Sequence, residues 1–271
     1  MKVCFVGGGN MGRALIGGMI AQGTAAADIA VVELDAAARA RMTADFGVHA
    51  IEAIGPEAAG ADVVVLAVKP QHLRSVAGAL APHLRGQLVL SIAAGVRSAD
   101  MARWLGGYER IIRAMPNTPA LLRKGIAGLY AGPAVSDAER GRAQSILDAV
   151  GETLWCEREA QLDAVTAVSG SGPAYVFYLL EAMIAAGESL GFTAEQARRL
   201  AYATASGATA LAAQSPETPA TLRAQVTSKG GTTQAAIEVL DTRGVRDALV
   251  AAIRAADARA AELGDQLGRD G

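Results

Sequence analysis

The sequence predicts an α/β domain, a doubly wound parallel sheet with helices on both faces, followed by an all-helical domain. Three observations carry that expectation. The first half of the chain alternates short, continuous apolar runs with helix-like stretches, as strands buried on both faces must. Beyond about Glu157 every segment carries helical periodicity instead. A Gly-x-Gly-x-x-Gly turn follows the first apolar run directly. Composition bounds the alternatives. With 51 % hydrophobic and 19 % charged residues, the 271-residue chain has ample material for a packed core, which excludes disorder. A net charge of −2 and 4 % aromatics offer neither the basic footprint nor the stacking platform of a nucleic-acid binder.

The strands read as Val3–Val6, Ile29–Val32, 63–68, 88–92 and 110–114, joined through helices such as 11–22 and 36–45. Strand–helix–strand alternation in one sheet implies right-handed crossovers. Two further apolar runs, 125–131 and 152–156, flank a helix over 136–150 and extend the sheet. In the second half, helices are expected over 174–190, 193–213, 218–227, 234–240 and 245–267. Turn signals separate them, among them Ser215-Pro216 and Gly230-Gly231. Thr193, three residues before Gln196, has the spacing of a capping box. The expected division is a nucleotide-binding domain over 1–160 and a helical domain over 161–271. Segment 174–186 holds one charge, Glu181, so its helix is apolar on several sides and calls for burial against a second copy of the chain. The N-terminal apolar run is too short for a signal peptide or a membrane span, and Cys4 and Cys156 match no metal or redox spacing. A cytoplasmic protein with no membrane partner is expected.

The glycine turn is the first candidate site. Val6 ends the strand, Gly7 permits a tight turn, Gly8 and Gly9 let a pyrophosphate approach the backbone, and Asn10, Met11 and Gly12 open the helix whose N-terminus receives it. Glu33, 21 positions after Gly12, stands where an acid meets the adenosine ribose. This is a Rossmann-type pattern, and its cofactor is NADPH or NADH. Glu33 favours NADH, because its charge repels a 2′-phosphate; Arg39 and Arg41 follow it and are read as solvated helix charges. Ligands bind beyond the carboxyl ends of parallel strands, which adds Val68, Lys69 and Pro70 after one strand and Ala93, Ala94 and Gly95 after another. Asn117, between two prolines, offers a side-chain amide to the nicotinamide carboxamide. His72 and His83 read as plain surface residues.

Three further motifs occur in order: Arg113-Ala114-Met115-Pro116-Asn117-Thr118-Pro119, Val168-Ser169-Gly170-Ser171-Gly172-Pro173-Ala174-Tyr175 and Val226-Thr227-Ser228-Lys229-Gly230-Gly231-Thr232-Thr233. With the glycine turn they closely resemble pyrroline-5-carboxylate reductase from Val3 to about Asp247. The Ser-x-Gly-Gly-x-Thr block is the most specific of them. The resemblance implies reduction of 1-pyrroline-5-carboxylate to L-proline, the last step of proline biosynthesis. It further implies a helical domain that interlocks in a homodimer, larger assemblies of dimers in some members, and a substrate site near the Gly-Gly-x-Thr turn. Ser228, Gly230, Gly231, Thr232 and Thr233 would line that site. The chain departs from the family in three places. Glu33 replaces the small polar residue of many members, Ile54 stands where many carry Asn, and Pro216, with Glu217 beside it, aligns with a Glu that contacts proline in some.

The residues themselves agree with imine reduction. Residues 158–271 contain no His or Cys and one Lys, Lys229, so a serine–histidine pair, a cysteine nucleophile and a His/Cys metal cluster are excluded there, and no metal is expected. A cyclic imine is basic enough to arrive protonated, so hydride attack needs orientation and one hydrogen bond rather than a strong acid. Thr233 is the candidate for that bond, with the amides of Gly231 and Thr232 on the substrate carboxylate. A β-hydroxyacid dehydrogenase resembles this chain in architecture, but needs a catalytic Lys where Val176 stands. A redox-sensing nucleotide binder would bind cofactor without needing the Ser-x-Gly-Gly-x-Thr turn.

Overall fold

The computed structural model of the chain describes residues 1–269. The chain runs β1 (Val3–Val6), α1 (Asn10–Ala21), β2 (Ile29–Val32), α2 (Ala36–Phe46), β3 (His49–Ile51), α3 (Pro56–Ala59), β4 (Val63–Leu66), α4 (Pro70–Leu80), β5 (Leu88–Ser91), α5 (Ser98–Trp104) and β6 (Ile111–Met115). It continues through β7 (Gly125–Ala131), α6 (Asp137–Asp148), β8 (Gly151–Trp155), α7 (Gln161–Val165), α8 (Gly172–Ser189), α9 (Ala194–Gln214), α10 (Pro219–Gln225), α11 (Thr232–Thr242) and α12 (Val245–Arg269).

The eight strands form one sheet in the order β3-β2-β1-β4-β5-β6-β7-β8, parallel except between β6 and β7. The first six follow the dinucleotide-binding order, with the reversal of winding between β1 and β4. Val3 pairs with Ile29 on one side and Val63 on the other, which fixes the central register. Because side chains alternate across a strand, Val3 and Phe5 enter one core layer with Leu15 and Ile16 of α1, while Cys4 and Val6 enter the opposite layer with Leu73 and Leu80 of α4. Strand β3 has no counterpart in the sequence reading. It is three residues long, and His49 is exposed, so no apolar run announces it. Residues 67–68 lie beyond β4 and Ile92 beyond β5, so the apolar runs there overshoot the strands and form the loops at their carboxyl ends.

Contacts divide the chain into two compact units. The first comprises residues 1–171 and the chain from Ala256, so it extends past residue 160 and takes back the end of α12. The second is residues 172–255. In the first, α7 is followed by a π-helical turn over Thr166–Gly170, where Ser171 N donates to Thr166 O at 2.8 Å and Ser169 Oγ to Val165 O at 2.9 Å. The serine–glycine segment that leads into α8 is therefore regular up to Gly170. It must pack tightly, since a Cβ on Gly170 would lie 2.7 Å from Met115 Cε. In the second unit, Thr193 and Gln196 form the expected capping box at α9. No residue of α8 is buried within the single chain, although its sequence calls for burial on several sides.

Candidate active site

The carboxyl ends of β1, β2 and β4 surround a cleft of about 570 Å³ at the reversal of winding. Val6, Gly7, Gly8, Gly9, Glu33, Val68 and Lys69 line it. Each glycine answers a different constraint. Gly7 has φ +107°, and a Cβ there would lie 2.5 Å from Ala67 O. A Cβ on Gly12 would lie 2.8 Å from Gly7 O, so this position lets α1 seat on the turn. Gly9 faces open ground, with nothing within 4 Å of where its Cβ would be. It also caps α1 without a side-chain bond, and the first helical amide to find a partner is that of Arg13, on Gly9 O. The amides of Asn10, Met11 and Gly12 therefore remain unpaired beside open space, which fits the pyrophosphate of a dinucleotide.

At the end of β2, Glu33 Oε2 accepts from Gly8 N at 2.9 Å and Oε1 from Asp35 N at 3.1 Å. The carboxylate thus braces the glycine turn. Arg39 is not the solvated helix charge the sequence suggested. Its side chain is only 20 % exposed, and its Nη1 donates to the carbonyls of Glu33 and Leu34, both at 2.7 Å, because the first turn of α2 folds back on the end of β2. Arg41 is exposed as expected. His72, read as plain surface, is exposed but lines the cleft, as does Ile54. Pro70 begins α4 with Lys69 as its cap.

Other candidates stand elsewhere in the first unit. Ala93, Ala94 and Gly95 follow β5 outside the cleft lining, and Gly95 packs against the end of α12. Asn117 is 9 % exposed; its Oδ1 accepts from Ile126 N at 2.9 Å and its Nδ2 donates to Ser169 O at 3.1 Å. The side-chain amide expected to hold a nicotinamide instead ties the end of β6 to β7 and to the π turn. A partly buried ionic cluster ties β6 to the segment before α7. Glu159 Oε1 accepts from Ser98 N at 2.6 Å and from Arg113 Nη1 at 2.8 Å. Burial raises the Glu159 carboxyl, but those two donors outweigh it and hold the group below the ordinary carboxylate range. Cys4, buried in β1, is pushed up to about 12, first by burial and then by the nearby Glu57, so it is no nucleophile.

In the second unit the Ser228–Gly231 turn leads into α11. Gly230 has φ +73°, and Gly231 N donates to Ser228 O at 3.0 Å. That bond removes the Gly231 amide from the donors expected to face a carboxylate. The first helical amide with a partner is that of Ala235, on Gly231 O, which leaves those of Thr232, Thr233 and Gln234. Gln234, which the sequence reading passed over, holds the turn. Its Oε1 accepts from Gly230 N and its Nε2 donates to Glu238 Oε1, both at 2.7 Å. Its position four residues after Gly230 was the available signal. Glu217 is exposed in the loop before α10, its amide on Ser215 Oγ.

Comparison with known proteins places both halves. A family profile described as pyrroline-5-carboxylate reductase dimerisation matches residues 159–263, and one described as NADP oxidoreductase, coenzyme F420-dependent, matches residues 2–95. A pyrroline-5-carboxylate reductase of Pseudomonas aeruginosa is 49 % identical over 269 residues, covering 99 % of this chain and 98 % of that protein. One from Vibrio alginolyticus is 39 % identical, covering 97 % of each. Among solved structures, a pyrroline-5-carboxylate reductase from Coxiella burnetii superposes with a TM-score of 0.92 at 40 % identity, covering 97 % of this chain and 98 % of that one. The Plasmodium falciparum pyrroline carboxylate reductase, solved with NADP bound, gives 0.86 at 25 % identity with the same coverage. Among the described residues no helix is long and apolar enough to cross a membrane.

Proposed function

Because the chain belongs to the pyrroline-5-carboxylate reductase family and reduces pyrroline-5-carboxylate to proline with a nicotinamide cofactor, we propose how its own residues divide that work. Residues 1–160 bind the nucleotide, and the helical residues 161–271 bind the imine and self-associate. When bound, the reduced nicotinamide supplies the hydride. The unpaired amides of Asn10, Met11 and Gly12 hold the pyrophosphate over Gly9, and the open ground at Gly9 is the observation that carries this reading. Val6, Gly7, Gly8, Val68, Lys69 and Pro70 form its walls. Ala93, Ala94 and Gly95 leave room for the nicotinamide half, and Asn117 acts by bracing that end of the sheet.

Ser228, Gly230, Gly231, Thr232 and Thr233 bind the substrate. The amides of Thr232 and Thr233 and the positive end of α11 take the carboxylate, and Thr233 Oγ1 accepts the hydrogen bond of the protonated ring nitrogen, which orients the imine carbon for attack. NADH is the preferred cofactor. Glu33 sets a carboxylate at the end of β2, where a ribose 2′-hydroxyl can donate to it and a 2′-phosphate meets a like charge. Dimers assemble further through the helical half, and the free thiols of Cys4 and Cys156 fit a cytoplasmic site.

Steady-state oxidation of NADH and NADPH with pyrroline-5-carboxylate tests the reading. NADH should give the higher kcat/KM, and Glu33→Ser should move the ratio toward NADPH by about tenfold, the scale of one like-charge contact in a polar cleft. Thr233→Ala should cut imine turnover and leave NADH affinity within a few-fold. Equal loss of cofactor affinity would refute the substrate role.

A further inference from the structure

We propose that Arg97 is a positioning residue for the nucleotide, clamping the loop that follows β5 between α7 and the last turns of α12. The inference rests on the reading that Ala93, Ala94 and Gly95 adjoin the bound cofactor. Ala93 anchors the start of the loop, buried in the core layer with Val96 and Met101 and with its amide 3.3 Å from Ser91 Oγ. Ala94 and Gly95 are only half-buried and carry no side-chain donor or acceptor that could hold the rest of the loop. Its shape must come from the residues behind it.

Arg97 supplies that hold from one side chain. Nη1 donates to Asp163 Oδ2 at 2.8 Å, and the Asp163 side chain is 8 % exposed. Nη2 points to α12, 3.5 Å from Ala261 O and 4.0 Å from Asp265 Oδ1. The helix comes this close because a glycine faces the loop. A Cβ on Gly264 would lie 2.9 Å from Gly95 O and 3.0 Å from Arg97 Nε. On the loop side, a Cβ on Gly95 would lie 3.2 Å from Leu267 Cδ1. Leu267 itself packs on the core layer that contains Val96 and Met101. A planar guanidinium with a fixed fork of donors thus joins three separated pieces of chain, which a flexible ammonium reproduces only in part.

The test combines two readouts on the full-length dimer. Amide hydrogen exchange in cofactor-free protein follows residues 93–97, and fluorescence titration with NADH follows affinity. Arg97→Met should speed exchange in the loop, weaken NADH binding by about tenfold and raise the NADH KM in step, with kcat changed less than about threefold. Arg97→Lys should recover part of the affinity. Gly264→Ala sets a methyl group 2.9 Å from Gly95 O and should weaken NADH binding by displacing Gly95, with the Tm of the cofactor-free variant checking that it still folds. Unchanged loop exchange in Arg97→Met overturns the proposal, as does a kcat loss that outweighs the KM change. Ala94→Leu separates the two layers of the argument. If Ala94→Leu weakens NADH binding and the Arg97 variants do not, the clamp fails while the loop still adjoins the cofactor. If neither matters, the placement of the loop fails and the clamp with it.

Discussion

Two neighbouring glycines in the same turn should fail in opposite ways when each gains one methyl group. At Gly7 the backbone has φ +107°, and the new Cβ would sit 2.5 Å from Ala67 O, 2.8 Å from Ala67 C and 3.0 Å from Val68 Cγ1. The left-handed backbone costs an alanine roughly 1–2 kcal/mol, and forcing an atom into a packed strand end costs roughly 1–3 kcal/mol more. Gly7→Ala should therefore destabilise the cofactor-free protein by about 2–5 kcal/mol, a fall in Tm of at least about 4 °C for a domain of this size. At Gly9 the backbone is extended (φ −68°, ψ −179°), open to any residue, and the Cβ meets nothing within 4 Å. Loss of a good helix cap and loss of unfolded-state entropy are each below about 1 kcal/mol and oppose one another, so Tm should hardly move. The methyl group nonetheless stands where the pyrophosphate must come. Losing one charge-assisted hydrogen bond there costs roughly 1.5–3 kcal/mol, or about tenfold to a hundredfold in NADH affinity. Thermal unfolding of the apo proteins and fluorescence titration with NADH measure the two axes. A Gly9→Ala variant that melts several degrees lower, or that binds NADH as well as the parent, would refute the assignment.

The carboxylate of Glu159 links stability to pH. Its folded pKa lies below the unfolded value of about 4.3, so its contribution is complete above that pH and is lost as pH falls through the folded value. Glu159→Gln leaves Arg113, 5 % exposed, without its charge partner, and should cost roughly 2 kcal/mol at pH 7; urea midpoints of variant and parent should converge below pH 4. Gln234→Ala frees the Gly230 amide and should raise the imine KM several-fold, with NADH affinity unchanged by titration; a parallel loss of both would place Gln234 outside the turn's function.

The sheet was legible in the sequence because its central strands are buried on both faces and so appear as unbroken apolar runs; β1, β2 and β7 have the boundaries that their runs predicted. Strand β3 was not, because an edge strand of three residues needs no apolar run. The glycine turn was legible because backbone geometry alone dictates its residues. Asn117, Arg39 and Gln234 were misread or passed over for a shared reason. Each acts on main-chain groups near in space, Asn117 on Ser169 O and Ile126 N, Arg39 on Glu33 O and Leu34 O, Gln234 on Gly230 N. A side chain's residue type announces what it can bind, while its choice between ligand and backbone is made by packing that only the folded chain displays.

The same distinction explains the surface of the second unit. Residues 172–255 bury only Ala197 and Ala201 among their hydrophobic side chains, while Phe177 is 59 % and Tyr178 76 % exposed on α8, with Val176 and Leu179 beside them. Four consecutive residues point to different sides of a helix, so α8 offers apolar side chains around much of its girth, and it falls within the stretch matched as a reductase dimerisation domain. Self-association therefore supplies this unit's core, whereas the sheet unit has its own, with Phe5, Leu15 and Leu90 fully buried. Dilution should separate the two. As concentration falls below the dimer Kd, the helical unit loses its partner and the Ser228–Thr233 turn its support, so imine turnover should fall steeply. NADH binding, which uses the sheet unit, should persist to lower concentration. If binding and turnover instead vanished together on dilution, the nucleotide site too would depend on the partner, and the independence of the sheet unit argued from its core would be wrong.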